Sequence, residues 1–456
     1  MASAAEQVYQ YLAPSAVRSV GGRTEVMLAT SGGNVEAQPS EHPRFFDGFL
    51  ARPEQTTVGL LTCARVARTR YYTPPAMVAA ILAAADPVVT SEWNQLRFES
   101  FSVCCGVYAR LDVLSDSLDR APTAIGTTNV DFNPPMRAAL ARVSGSQAVR
   151  LHVGADELGI KTFGGQIVEH KVPLPERWIK GLAEVQMAAT RLTPLVDLTI
   201  ADARAFVRSL PRTSRQLAWA QPAGRSLRLS SQPAPGAACL AGPERLRALE
   251  PLLRFTSAVR VYGVDAGDAK TPTPSAWELT LDGARFTLVL SPEVSRGFSG
   301  EGGLLLDLAS DAAEPDAEQI GPHLGWGEPL RLERLASVSG LDLQRARSAL
   351  MFLAAQGHLG YDLAQAAYFH RVLPLKSEAL VRLLKMNPRL LDAQRLVALG
   401  QVQLEPGGAR VRSGELEHRV TFAAESDRCT CAWWGKYGGA RGPCKHVLAA
   451  RLAARP

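Results

Sequence analysis

The sequence predicts a multidomain α+β protein, and three observations predict it. The chain has 456 residues, too many for one ordinary core and enough for roughly two to four domains. Segments with a two-residue apolar period and segments with a 3.6-residue period follow one another without an internal repeat. Three of the seven cysteines and one of the eight histidines fall within residues 429–446. A composition 46% hydrophobic and 21% charged is that of a folded protein.

Residues 1–220 read as one large mixed domain. "PPAMVAAILAAAD" (74–86) predicts a helix with proline in its first turn. "RFESFSVCCGVYARLDVL" (97–114) predicts a strand, being rich in aromatic and β-branched residues. "NPPMRAALARV" (133–143) predicts a helix capped by Asn133. Strands separated by turns are expected over 148–175, followed by helices in "ERWIKGLAEVQMAATRL" and "IADARAFVRSL". Residues 221–240, dense in Pro, Gly and Ser, predict a linker. Beyond it, 241–320 is expected as a small α+β unit, with a helix near 243–254 and a hairpin over 275–291 that turns at Asp282-Gly283.

Residues 329–375 show a helix, a turn, a second helix and a hairpin. Leu332, Leu335 and Ala336 share one helical face, and Ser339-Gly340 makes the turn. Asp342 caps a helix in which Ala346, Ala349, Leu350 and Leu353 keep the helical period until Gly357. The order resembles a winged helix-turn-helix, which implies a second helix able to enter a DNA major groove. Gln344, Arg345, Arg347 and Ser348 would then face phosphates or base edges. The bland alternative is a protein-docking module of the same shape.

The last segment, 400–456, carries the sharpest signal. Cys429 and Cys431 are separated by one residue, a twelve-residue spacer follows, and Cys444 and His446 are again separated by one. In a strand, residues i and i+2 face the same way, so the first pair can present two sulfurs to one point. In mid-helix i and i+2 diverge, so Cys444 and His446 fit only at a helix entrance, which Pro443 marks. Three sulfurs and one nitrogen form the usual donor set of a closed structural zinc site. One structural Zn2+ is therefore expected, on a strand pair plus a helix. The spacing resembles the SWIM zinc finger, whose pattern is Cys-x-Cys, a variable spacer, then Cys-x-His. That resemblance implies nucleic-acid binding or protein–protein contact without choosing between them. The spacer "AWWGKYGGARGP" reads as a Gly-rich loop in which Trp433, Trp434 and Tyr437 alternate with Lys436 and Arg441. Aromatic faces and cations together suit single-stranded nucleic acid; the bland reading is that the tryptophans cover the metal, with one buried and one exposed.

Charge and cysteine use agree with this division. Residues 380–456 hold 13 basic and 6 acidic residues, a balance of +7 in a chain of net charge +6, so the remainder is nearly neutral. An anionic partner is therefore expected near the C-terminus. The start lacks a basic segment followed by an apolar run, and no apolar stretch approaches the ~20 residues of a membrane span. A cytoplasmic protein with reduced cysteines follows, and clustered Cys and His then read as metal ligands rather than disulfides.

The layout also resembles a bacterial group of SWIM proteins encoded beside MoxR-type AAA+ ATPases and von Willebrand A-domain proteins. The carrying residues are "DPVVTSEWNQLRFESFSVCCGVYARLDVL" (86–114), "GTTNVDFNPPMRAAL" (126–140) and "LPERWIKGLAEVQ" (174–186). The resemblance implies an adaptor that docks an ATPase or a von Willebrand A-domain protein. A hydrolytic activity has weaker material. Cys104-Cys105 would need a positioned base, and His152 and His170 are merely the nearest in sequence. Thr127, Thr128, Asn129, Asp131 and Asn133 are accounted for by turns and capping. No residue is assigned a catalytic role.

Overall fold

The structure, a computed structural model, describes all residues except 1–7, 12–13, 73–85, 146, 155–169, 174–175, 265–269, 309, 311, 374–386, 424–426, 440 and 455–456. The helix expected over 74–86 lies almost wholly outside the described residues. The chain divides into two compact units. The first comprises Met1–Gly181, Arg191–Gly297 and Arg371–Leu375, and the second comprises Leu182–Thr190, Phe298–His370 and Lys376–Pro456. Helices and sheets are mixed in both, as the α+β class requires. No helix among the described residues is long and apolar enough to cross a membrane.

The first unit is built on a ten-stranded sheet in which neighbouring strands pair antiparallel. At its centre, Ala284–Leu290, Val107–Leu114, Gln95–Phe101 and Val88–Glu92 lie side by side. The stretch 97–114, expected as one strand, is therefore a hairpin. Ser102–Gly106 reverses the chain, with Cys105 at φ 54°. The alternation of side chains sends Leu96, Phe98, Ala109, Leu111, Val113, Phe286 and Leu288 to one face, where they join the main core. Helix Pro53–Arg68 covers that side.

The opposite face is charged and equally buried. Arg97, Glu99, Arg110 and Asp112 are each no more than 1% exposed. Charges removed from water must find countercharges. Arg97 and Arg110 both donate to Asp112, at 3.3 and 3.1 Å. Tyr108 donates to Glu99 at 2.6 Å, and Arg371 pairs with the same carboxylate. Next to Arg371, the Val372 amide donates to Thr127 Oγ1 at 3.3 Å, which seats this short segment on the sheet.

Two expected boundaries are overturned. Residues 221–240 are not a linker: they run through the strands Leu217–Ala223, Ser226–Ser230 and Ala238–Ala241 of a three-stranded sheet. Leu227, Ala238 and Leu240 are buried there, so a period of two was hidden beneath the Pro, Gly and Ser content. Nor do 241–320 form a small unit of their own. The predicted hairpin exists, with Gly283 at φ 67°, but Ser275–Leu281 and Ala284–Leu290 extend the large sheet of the first unit. The helix expected at 243–254 is a 3-10 helix, Pro243–Leu252. The Asn133 cap is as expected, its side chain accepting from the Met136 amide at 2.9 Å.

In the second unit, Leu332–Ser339 and Leu343–Ala355 are helices joined through Gly340 at φ 66°, with Asp342 capping the second. The hairpin Leu359–Asp362 with Ala367–His370 follows. The C-terminal segment holds more than a strand pair. Val402–Glu405, Gly408–Ser413, Leu416–Thr421 and Arg428–Cys429 form an antiparallel sheet of four. Helices Pro388–Ala398 and Lys445–Ala453 pack on one another beside it.

Burial alone would raise the pKa of Glu99, but Arg371 and the Tyr108 hydroxyl bring it below the ordinary carboxylate value. A depressed carboxylate contributes stability above its unfolded pKa of about 4.3 and loses it as pH falls through the folded value. Glu99→Gln should cost about 3–5 kcal/mol at pH 7, because Arg371 loses its buried countercharge. The difference from wild type should shrink below about pH 4. Urea unfolding at both pH values measures this.

Candidate metal centre

The four expected ligands are delivered by a strand end, two helix caps and a first helical turn. Cys429 ends the strand Arg428–Cys429 and faces inward beside Val420, its cross-strand partner. Cys431 is the N-cap of helix Ala432–Tyr437, its sulfur accepting from the Trp434 amide at 3.4 Å. Cys444 caps helix Lys445–Ala453 in the same way, accepting from the Val447 amide at 3.4 Å. His446 lies in the first turn of that helix. The helix entrance thus solves the spacing problem of Cys-x-His, because the cap residue is not yet helical.

The four ligand atoms lie within 4.8 Å of one another, and every ligand is 6% exposed or less. Tetrahedral zinc with bonds near ~2.3 Å to sulfur and ~2.0 Å to nitrogen separates the two atoms by about 3.5 Å. The Cys429 Sγ to His446 Nδ1 distance is 3.8 Å. The donor set and its spread therefore fit one zinc ion, held by Cys429, Cys431, Cys444 and His446. The His418 ring packs against the His446 ring, with centroids 4.1 Å apart and planes tilted by 36°.

The three thiols do not ionise alike. Cys429 is pushed up, first by the hydrogen bond it donates to Cys444 and then by burial. Burial also pushes Cys431 up. Cys444 is pulled down to about 4 by the bond from Cys429, with support from His446 and the Val447 amide. Sulfurs packed this closely hinder one another's ionisation. A dication at this point is what lets all three act as thiolates. A shell of four protein donors leaves no position for a reactive water, so the site is structural.

The spacer is not the open loop that its glycines suggested. Residues 432–437 are helical, and Gly438 at φ 54° ends the helix. Two guanidinium groups approach the Trp433 ring, Arg389 at 4.7 Å and Arg441 at 5.0 Å. Tyr437 packs on Trp433 at 4.6 Å and also receives Arg441 at 4.6 Å and Lys436 at 5.0 Å. Arg441 is only 2% exposed and donates to the Gly300 carbonyl at 2.9 Å. The aromatic rings and cations thus pack on one another within the finger. Both Trp433 and Trp434 are half-buried against the finger's core, rather than one inside and one outside. Arg389 was not foreseen: it lies 52 residues from Arg441, whose carbonyl accepts from it at 2.9 Å.

On the second helix of the helix-turn-helix segment, Gln344 and Arg347 are exposed. Arg345 is spoken for by both oxygens of Asp316, at 2.5 and 3.0 Å, and Ser348 donates to Asp307 at 2.8 Å. In the first unit, Cys105 is buried and Cys104 half-buried, with Ser102 Oγ 3.4 Å from the Cys104 sulfur. His152 is engaged by Asp47 at 3.1 Å. Thr127, Thr128 and Asn129 form a fully buried strand, and Asp131 accepts from the Ser15 amide at 2.8 Å.

Residues 401–454 match the family model of the SWIM zinc finger. The chain thus carries a SWIM zinc finger whose four ligands are the residues assembled above. No curated protein matches the chain. Among solved structures it is similar to proliferating cellular nuclear antigen from Entamoeba histolytica. The identity is 8%, coverage is 55% of this chain and 98% of that one, and the TM-score is 0.31. It is also similar to a structure titled the C-terminal region of FEN-1 bound to A. fulgidus PCNA. There the identity is 10%, coverage is 54% and 98%, and the TM-score is 0.32. Likeness at these scores does not establish a shared fold.

Cys431→Ser should remove a metal ligand while leaving a side chain that still caps the helix. Wild-type protein is expected to carry one zinc per chain by elemental analysis, and the variant far less. Because structural zinc supplies roughly 10–16 kcal/mol to small sites, the C-terminal ~50 residues should become protease-sensitive. Urea unfolding of the first unit should be unchanged. A variant that keeps stoichiometric zinc would refute the assignment.

Proposed function

We propose that the protein is a zinc-stabilised adaptor, the protein-partner component of a MoxR ATPase/von Willebrand A-type system, with the first unit making the partner contacts. The observation that carries this reading is the closed shell of Cys429, Cys431, Cys444 and His446, which holds chain segments together and leaves no coordination position for substrate. A site of that kind supports recognition and not turnover. The choice of partner system rests on the resemblance of residues 86–114, 126–140 and 174–186. In the structure, 86–114 supplies the central hairpin of the large sheet, and Gly126–Asn129 pairs with the same sheet.

A second reading is DNA or RNA binding by the helix-turn-helix segment and the finger's aromatic residues. What favours it is the exposure of Gln344, Arg347 and Lys436. Against it, Arg345 and Ser348 engage Asp316 and Asp307, and Arg441 is 2% exposed and held by Gly300 and Glu301, all within the second unit.

The two are separated by direct binding with purified components. Zinc-loaded protein should bind a MoxR-type ATPase or a von Willebrand A-domain protein with a Kd in the micromolar range or tighter, measured by calorimetry at about 150 mM salt. Failure to bind either one removes the adaptor reading. A duplex affinity that falls when Gln344 and Arg347 are both replaced by Ala would promote the second.

A further inference from the structure

The four-stranded sheet of the finger has two faces with separate tasks. Ala409, Val411, Val420 and Cys429 point inward to the core and the metal site. Strand alternation sends Arg410, Arg412, Arg419 and Arg428 to the other face, and all four are exposed. Arg410 stands directly opposite Arg419 in the register. Like charges facing each other across a strand pair destabilise a sheet unless countercharged, and in the same register Arg412 stands opposite Glu417. Arg410 is partly answered by Glu405 at 2.6 Å and Glu417 at 3.6 Å. Among the described residues, Arg412, Arg419 and Arg428 have no ion pair and no side-chain hydrogen bond. They descend diagonally across three adjacent strands, spaced by about 8 Å from strand separation and rise. Four arginines against two glutamates leave the face at +2.

We propose that this outer face binds the phosphate backbone of double-stranded DNA, with Arg412, Arg419 and Arg428 as the contacting residues. Three features choose the occupant. The face presents arginine and no lysine, and arginine's planar fork matches phosphate bidentately. It holds no apolar or aromatic anchor, which a stable protein interface needs at its centre. It also has no ring on which an unpaired base could stack, which single-strand binders use. Backbone phosphates on the outside of a duplex require neither. The proposal goes beyond the adaptor reading and uses neither the helix-turn-helix residues nor the spacer.

The test is fluorescence anisotropy of zinc-loaded, full-length protein with a 20-base-pair duplex from about 50 to 200 mM salt. Each lost phosphate contact should flatten the log–log salt slope by about 0.9. Arg412→Ala/Arg419→Ala/Arg428→Ala should therefore lower the slope by about two to three units, and weaken binding at least about tenfold at the lowest salt. Zinc content and near-ultraviolet circular dichroism should be unchanged. The corresponding triple lysine variant, which keeps the charge, should retain most of the slope. Four results overturn the proposal: no duplex binding by wild type, an unaltered slope in the alanine variant, tighter binding to a single strand of equal length, or competition by polyglutamate as effective as by DNA. Binding of the alanine variant to the MoxR-type ATPase is independent of these results, so failure here leaves the adaptor reading standing.

Discussion

Closure of Cys429, Cys431, Cys444 and His446 around one metal ion is the constraint on which the finger depends. Apart from the ligands themselves, its buried core consists of leucine, valine and alanine side chains, and the rings of Trp433 and Trp434 only flank it. A segment this small buries too little apolar surface to hold itself together. The metal supplies what the core lacks, and it does so at three chain junctions: the end of a strand and the caps of two helices. Because both caps offer sulfur to backbone amides, the helix entrances are fixed by the groups that bind the ion. Structure and metal affinity are therefore one property here, and catalysis has no place in it.

The ligands were legible because their spacing is itself geometric. One intervening residue suits a strand or a helix entrance: Cys444 and His446 use a helix entrance as expected, whereas only Cys429 lies in the strand and Cys431 caps a second helix. The spacer was misread for the opposite reason. Its glycines suggested an open loop, but what shapes it is the Cys431 cap and the cation–aromatic stack built with Arg389, neither of which composition reveals. The helix-turn-helix elements were visible from period and capping alone. The availability of their polar face was not, since Asp316 reaches Arg345 from 29 residues away. The expected linker failed similarly, because Pro, Gly and Ser mark turns whether or not the intervening residues pair into strands.

The large sheet of the first unit shows the limit in stronger form. Alternation over 95–114 announces one apolar face, and that face was readable as strand. The other face carries Arg97, Glu99, Arg110 and Asp112, which on sequence alone would be assigned to solvent. They are buried because each finds a countercharge, and one of these, Arg371, is 272 residues from Glu99. A charged face is decided by what covers it, and sequence order does not state what that is.

The same distinction separates the two sheets. In the first unit, acidic groups interleave with the arginines, so the face can be sealed from water without a large electrostatic penalty. On the finger's sheet, the arginines of three strands outnumber the acids: Arg410 stands opposite Arg419, and both glutamates of the face engage Arg410. Such a face is tolerable only while water or an external anion screens it. Zinc on the inner side makes that tolerance affordable, since the strand pairing need not supply the stability that the like-charged pair removes. The metal's contribution to function is thus indirect: it lets the outer face be arranged for an anion and not for the fold.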